Sequence, residues 1–160
     1  MNYPHPREPD EPLDRLYAYT LYLVPALYFL SLCLSCIYTA DEETWRGWQI
    51  LLWGWLGAFG VGTDPTLFAW FANPLLVVTF VLFYNQRFRL AVIAGIPCLL
   101  LALSSFQLRR IGGPDIDYSV TGYGPGFYCW LGSCAIPVVD SILFYRFSNK
   151  AKRKYDNNIT

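Results

Sequence analysis

The chain has 160 residues, of which 54% are hydrophobic and 15% are charged, and its twelve Lys and Arg balance twelve Asp and Glu. A soluble domain has about 25% charged residues, and a nucleic-acid-binding protein carries a basic stripe, so this composition excludes both classes. The charges are crowded between long uncharged runs, at 16–40, 65–86, 90–108 and 118–139. A helix needs about 20 apolar residues to cross a bilayer, so the sequence predicts an all-α membrane protein.

The predicted elements follow these runs in chain order. The chain starts with a polar tail over 1–15, which we expect to be disordered and cytoplasmic, and it ends with a basic cytoplasmic tail over 146–160. The predicted transmembrane helices are about 16–39, 66–84, 89–106 and 126–145. This gives a fold of four transmembrane helices.

The segment 47–62 is the ambiguous one. As a helix, its 16 residues would reach about 24 Å, less than the roughly 30 Å of the hydrocarbon core. We therefore expect a short Trp/Gly-rich helix that is interfacial or re-entrant and lies between the first two spans. Four spans place nine Lys and Arg on the cytoplasmic side and three outside, against eight and four for five spans. The positive-inside rule then favours four spans with both termini cytoplasmic.

Candidate partner-binding residues lie in this segment. They are Trp48, Trp53, Gly54, Gly57 and Ala58. Tryptophan favours the membrane–water interface, because its ring is apolar while its N–H needs an acceptor, and closely spaced small residues let helix backbones approach. Two interpretations stay open: a docking surface for a protein partner, or a packing face against the protein's own spans.

Three polar residues fall inside or beside predicted spans, where polar groups are costly. Asn73, which precedes Pro74, is expected to bond a neighbouring helix or a carbonyl that the proline leaves free. Asp140 is the charged residue well inside the last span, and Arg89 is its nearest candidate partner, with Tyr19 and Thr20 as alternatives. A structural pair and a proton relay are both open, and so is a contact with a toxin.

Cys33 and Cys36 form a C-x-x-C pair near the end of the first span, which can carry out thiol–disulfide exchange. The six residues "CLSCIY" resemble quinone-coupled disulfide-oxidising membrane proteins, which also have four helices. The position of the pair at the end of the first span departs from that pattern, and the loop 107–125 holds no second cysteine pair. The sequence shows no metal-ligand spacing, and we expect no metal or cofactor.

Three fragments carry a further resemblance: "GWLG" at 54–57, "FAWFANPLL" at 68–76 and "GYGPGFYCWLGS" at 122–133. They resemble a group of small bacterial four-helix inner-membrane proteins. That resemblance implies a shared framework and no activity. The architecture with cytoplasmic termini is also similar to that of some colicin-type immunity proteins.

Taken together, the patterns predict a non-enzymatic protein that contacts the lipid bilayer and binds a membrane or membrane-active protein, and no nucleic acid. Such a protein could be an immunity protein or an accessory subunit. The alternatives are a thiol redox protein using Cys33 and Cys36, and a small transporter or channel using Asp140. The oligomeric state is left open.

Overall fold

In a computed structural model, which describes residues 11–41, 43–56, 65–113 and 116–157, the chain is mainly helical. The α-helices are α1 (Glu11–Cys33), α2 (Gly47–Leu56), α3 (Ala72–Tyr84), α4 (Phe88–Ser104) and α5 (Pro125–Asn157). Among these residues, the 3-10 helix Pro65–Phe71 precedes α3 and the 3-10 helix Ser105–Gln107 follows α4. The strands are β1 (Ser35–Thr39), β2 (Thr44–Arg46), β3 (Arg110–Gly113) and β4 (Ile116–Tyr123).

Three of the helices in the described part of the chain are long and apolar enough to cross a membrane. They are Pro12–Cys33, Phe88–Gln107 and Pro125–Lys150, and a shorter apolar helix covers Phe68–Tyr84. The predicted set of four spans is therefore matched at three positions by length and composition. At the predicted second span, 66–84, the structure has only this shorter apolar helix, and Pro65–Phe71 ahead of α3 is a 3-10 helix.

The four strands form one antiparallel sheet in the order β2-β1-β4-β3. Ile37 of β1 lies opposite Trp45 of β2 and Tyr123 of β4. The sheet encloses a small core of Cys36, Ile37 and Phe127. It therefore attaches the region after α1 to the region before α5.

This sheet corrects the predicted first span of 16–39, since α1 ends at Cys33 and the next residues form β1. Ile37, Tyr38 and Thr39 are β-branched or aromatic and suit a strand, but they continue the apolar run of α1. The predicted loop 107–125 is corrected as well, because it contains the hairpin of β3 and β4.

The outer ends of the first and last helices also differ from the predicted bounds. Helix α1 begins at Glu11, so the end of the predicted disordered tail is helical. Pro12 is tolerated there because the first-turn N–H groups have no intrahelical acceptor. Helix α5 continues through the basic tail to Asn157, since Lys and Arg are good helix formers.

Far from the sheet, four aromatic rings bring the helices together. Phe144 of α5 stacks on Phe88 of α4 with ring centroids 5.0 Å apart, and it meets Phe83 of α3 edge-on. Tyr17 of α1 stacks on Phe83, and its hydroxyl donates to the backbone oxygen of Tyr84 at 2.8 Å. The beginning of α1, the end of α3 and the beginning of α4 therefore lie together, at what we call the turn end of the bundle.

Candidate functional site

Helix α2 exposes an apolar surface next to the sheet. Trp48, Leu52 and Trp53 are 45%, 55% and 59% exposed, and we call these three residues the α2 surface. Within the described residues, neither indole N–H has an acceptor, whereas Trp70 and Trp130 donate to Leu51 O and to Asn73 Oδ1. Two of the predicted partner-binding residues, Trp48 and Trp53, thus lie on an open surface.

The other side of α2 is fixed to the protein itself. Gly54 faces the Trp70 ring, and a Cβ at this glycine would lie 2.6 Å from Trp70 Cδ1. The Trp70 indole donates to the Leu51 carbonyl at 2.9 Å. Gly54, one of the predicted binding residues, therefore takes the alternative role of internal packing. The predicted residues Gly57 and Ala58 lie outside the described residues.

A second contact holds the beginning of α2 against the end of α1. Gly47 donates its N–H to the carbonyl of Leu34 at 3.2 Å, and a Cβ at Gly47 would collide with the backbone oxygen of Ser31. A residue without a side chain is required for this close approach. Together, the two contacts set the orientation in which α2 presents its exposed surface.

Asn73 connects three elements near the sheet. Its Nδ2 donates to Trp70 O at 3.0 Å, and its Oδ1 accepts from Trp130 Nε1 at 3.0 Å and from the Tyr28 hydroxyl at 3.4 Å. Trp70 O is the carbonyl that Pro74, four residues on, leaves without its helical N–H donor. The expectation that Asn73 bonds a neighbouring helix or a freed carbonyl is confirmed on both counts.

Asp140 faces α1. Its Oδ2 lies 2.5 Å from Thr20 Oγ1, and the two residues are 7% and 1% exposed. Arg89 is exposed in the first turn of α4, and the described part of the chain contains no ion pair between it and Asp140. Of the candidate partners, Thr20 is the one that contacts Asp140. Arg89 does not, because a guanidinium at a helix end can extend its stem and keep its charge in the polar region.

The two cysteines of the C-x-x-C pair lie on different elements. Cys33 is exposed at the end of α1, whereas Cys36 is buried in β1 and both are free thiols. A Cβ at Gly126 would lie 2.7 Å from the Cys36 sulfur, so this thiol is closely enclosed. Burial, and secondarily the neighbouring Cys129, raises the pKa of Cys36 to about 12.

That pKa has a chemical consequence. The thiolate is the species that attacks a disulfide, and a thiol with a pKa of about 12 is almost entirely protonated at neutral pH. Cys33 and Cys36 do not lie on one helix, because the chain leaves α1 at Leu34. The arrangement of the two cysteines therefore gives no support to the redox alternative.

The sequence did not predict the contact between the buried thiols of Cys98 and Cys134. Cys98 and Cys134 are fully buried in the core between α4 and α5, and the Cys98 thiol donates to Ala72 O at 3.3 Å. The two cysteines are 36 residues apart, so local spacing holds no signal for their contact. Among the described residues, no three His, Cys, Asp or Glu side chains lie close enough to hold a metal ion.

Comparisons with known proteins assign no family. No protein-family model, curated protein or solved structure matches this chain.

Proposed function

We propose that this chain is a non-enzymatic four-span membrane protein that binds another protein at the membrane through the α2 surface. The observation that carries the proposal is the exposure of Trp48, Leu52 and Trp53 on a helix whose opposite side is fixed by Gly54 and Trp70. Binding surfaces concentrate their affinity in a few aromatic residues, with Trp foremost. A partner of this kind suits an accessory subunit, or an immunity protein that meets a membrane-active toxin.

The pairing of β1 with β4 supports four spans. Paired strands lie on the same side of a membrane, so the chain between them must cross an even number of times. Helix α4 is one crossing, and α2 with its ten residues reaches only about 15 Å. The stretch Pro65–Tyr84, part 3-10 and part α-helix, reaches about 33 Å. This stretch is long enough to be the second crossing between β1 and β4. An additional crossing through α2 would make the number of crossings between these two strands odd, which their pairing does not allow.

The distribution of positive charge supports the orientation. The sequence after Tyr145 has five Lys and Arg, and cytoplasmic segments are enriched in these residues. Both termini are then cytoplasmic in a bacterial inner membrane, and the sheet and α2 lie on the outer face. The α2 surface is consequently available to a partner that arrives from outside the cell or within the outer leaflet.

The exposed faces of α3 and α4 differ in composition from the α2 surface. Helices α3 and α4 expose aliphatic side chains, among them Val77, Val81 and Leu100, which lipid tails satisfy without hydrogen bonds. The α2 surface adds two indole N–H donors. A protein partner can supply both an apolar pocket and an acceptor for these groups.

Site-specific photocrosslinking in native membranes tests this proposal. A photoreactive amino acid replaces Trp48 or Trp53, and the matched control carries it at Leu100, which is 62% exposed on α4. We expect the same protein adduct from both α2 positions and none from position 100. Adducts to lipid alone at positions 48 and 53 would contradict partner binding and leave α2 as a membrane anchor.

A further inference from the structure

The hydroxyl of Thr20 has more acceptors than protons. Its oxygen lies 3.0 Å from the carbonyl oxygen of Leu16, one turn earlier in α1, and 2.5 Å from Asp140 Oδ2. Both distances are those of hydrogen bonds, but a hydroxyl group has a single proton to donate. That proton can serve both contacts only as a bifurcated hydrogen bond, which weakens each of them. A proton supplied from elsewhere would give each contact its own.

Asp140 is the group that can supply that proton. If the carboxyl group is protonated, it donates to Thr20 Oγ1, and Thr20 then donates to Leu16 O. Every contact in the chain of three oxygens contains one proton. If Asp140 is ionised, Thr20 must turn its proton to the carboxylate, and the contact with Leu16 O is left without one.

The charges around Asp140 favour the protonated form as well. The charged side chains nearest to this level on the helices packed with it are exposed: Asp14 and Arg15 on α1, Arg89 on α4, and Arg146 on α5 itself. Arg15 has a contact of its own, and α3 contains no charged residue. The titratable Tyr17 uses its proton on Tyr84 O. A carboxylate removed from water without a cation is costly.

We propose that Asp140 is a proton-binding site in which a neutral carboxylic acid on α5 donates a hydrogen bond to Thr20 on α1. The ligand is a single proton, held between two of the most extensively packed helices of the bundle. Release of that proton places a negative charge on the α1–α5 contact and turns the Thr20 hydroxyl away from Leu16. This property is independent of what binds the α2 surface.

Infrared spectroscopy of the full-length protein in lipid nanodiscs tests the proton directly. A protonated carboxyl group has a C=O stretching band that is separate from the carboxylate bands. We expect this band in the wild type at pH 7, shifted by ¹³C-labelling of aspartate and absent from Asp140→Asn. Loss of carboxylate intensity instead of this band in the variant would overturn the proposal.

Two further variants examine the hydrogen bond. Thr20→Val keeps the side-chain volume but removes the acceptor, so the C=O band should move to higher frequency, while Thr20→Ser should leave it in place. Ser141→Ala is the matched control, because that hydroxyl bonds Pro137 O one turn away. An unchanged band in Thr20→Val would contradict the contact. If Asp140→Asn does not fold, the assignment comes from Thr20→Val: a ¹³C-sensitive band that shifts in this variant and not in Ser141→Ala belongs to Asp140, and not to another of the eight aspartates.

Discussion

Asn73 makes hydrogen bonds in three directions from the beginning of α3. It donates to the carbonyl of Trp70 and accepts from Trp130 on α5 and Tyr28 on α1. Its side chain therefore completes the backbone that Pro74 interrupts and at the same time connects three helices. A buried donor or acceptor that loses such a partner is left unsatisfied, at a cost of about 1–3 kcal/mol.

Replacing Asn73 with Leu, which has a similar volume, should lower the free energy of unfolding by about 2–4 kcal/mol, because the Trp130 N–H and the Trp70 carbonyl both lose their partner. Denaturant unfolding in mild detergent measures the change. Asn85→Ala is the control, since Asn85 also bonds a carbonyl, Val81 O, but in an exposed turn where water replaces it. Equal losses in the two variants would show that the three-way contact contributes nothing.

Of the Asn73 contacts, the hydrogen bond to the Trp70 carbonyl could be predicted from the sequence, whereas the hydrogen bond from Trp130 could not. An asparagine ahead of a proline in an apolar run identifies a freed carbonyl and an amide near it, and both follow from local chain geometry. The acceptance from Trp130, 57 residues later, depends on how α3 and α5 pack. No local pattern in the sequence contains that information.

The turn between α3 and α4 closes with the hydrogen bonds of a Schellman motif. Arg87 N–H donates to Leu82 O, and Gln86 N–H donates to Phe83 O, which satisfies two carbonyls at the end of α3. The motif needs a left-handed residue, and Gln86 fills that position with a φ of 56°. A residue with a Cβ is strained in that conformation.

Gln86→Gly should therefore stabilise the protein by about 0.5–1 kcal/mol, the relief of left-handed strain less the extra chain entropy of glycine. Thermal unfolding in detergent gives the difference. Gln86→Ala keeps a Cβ and should leave the unfolding temperature unchanged. A gain in the alanine variant as large as in the glycine variant would show that backbone strain is not the cause.

Strand β1 shows where hydrophobic pattern fails as a guide to the elements. The run from Leu16 to Ala40 is uncharged and long enough for one helix. Its last part, Ser35–Thr39, is a short apolar stretch, and such a stretch is consistent with either a helix or a strand. The strand forms because β4, some 80 residues later, pairs with it. The helices were predictable since each satisfies its own backbone, whereas the sheet depends on distant partners.

The molecule is asymmetric along its helices. The sheet and α2 lie at one end, and the turn end gathers the beginning of α1 and the α3–α4 turn. The two ends also differ in charge among the described residues. Cations are in excess toward the turn end, where the exposed charged residues include Asp14, Arg15, Arg87, Arg89, Arg146 and Lys150. At the sheet end, three cations are balanced by three carboxylates: Arg46, Arg109 and Arg110, with Asp41, Glu43 and Asp117. This asymmetry is what the proposed orientation depends on.

Thiol labelling in spheroplasts tests that orientation. The background replaces Cys33 and Cys129 with Ser, because the other three native cysteines are buried. With a membrane-impermeant maleimide, Ala40→Cys between β1 and β2 should react in intact spheroplasts. Asn85→Cys in the α3–α4 turn and Lys150→Cys in α5, both exposed, should react only after permeabilisation.

Each of these positions examines a different crossing. Reaction of Ala40→Cys and Asn85→Cys from the same side would mean that Pro65–Tyr84 does not cross, and the strand pairing would then require α4 not to cross either. Reaction of Lys150→Cys in intact spheroplasts, with Ala40→Cys silent, would invert the molecule and place the α2 surface on the cytoplasmic face. Because α2 is fixed to the sheet end by Gly47 and Gly54, the side on which Ala40→Cys reacts is also the side on which the proposed partner would bind.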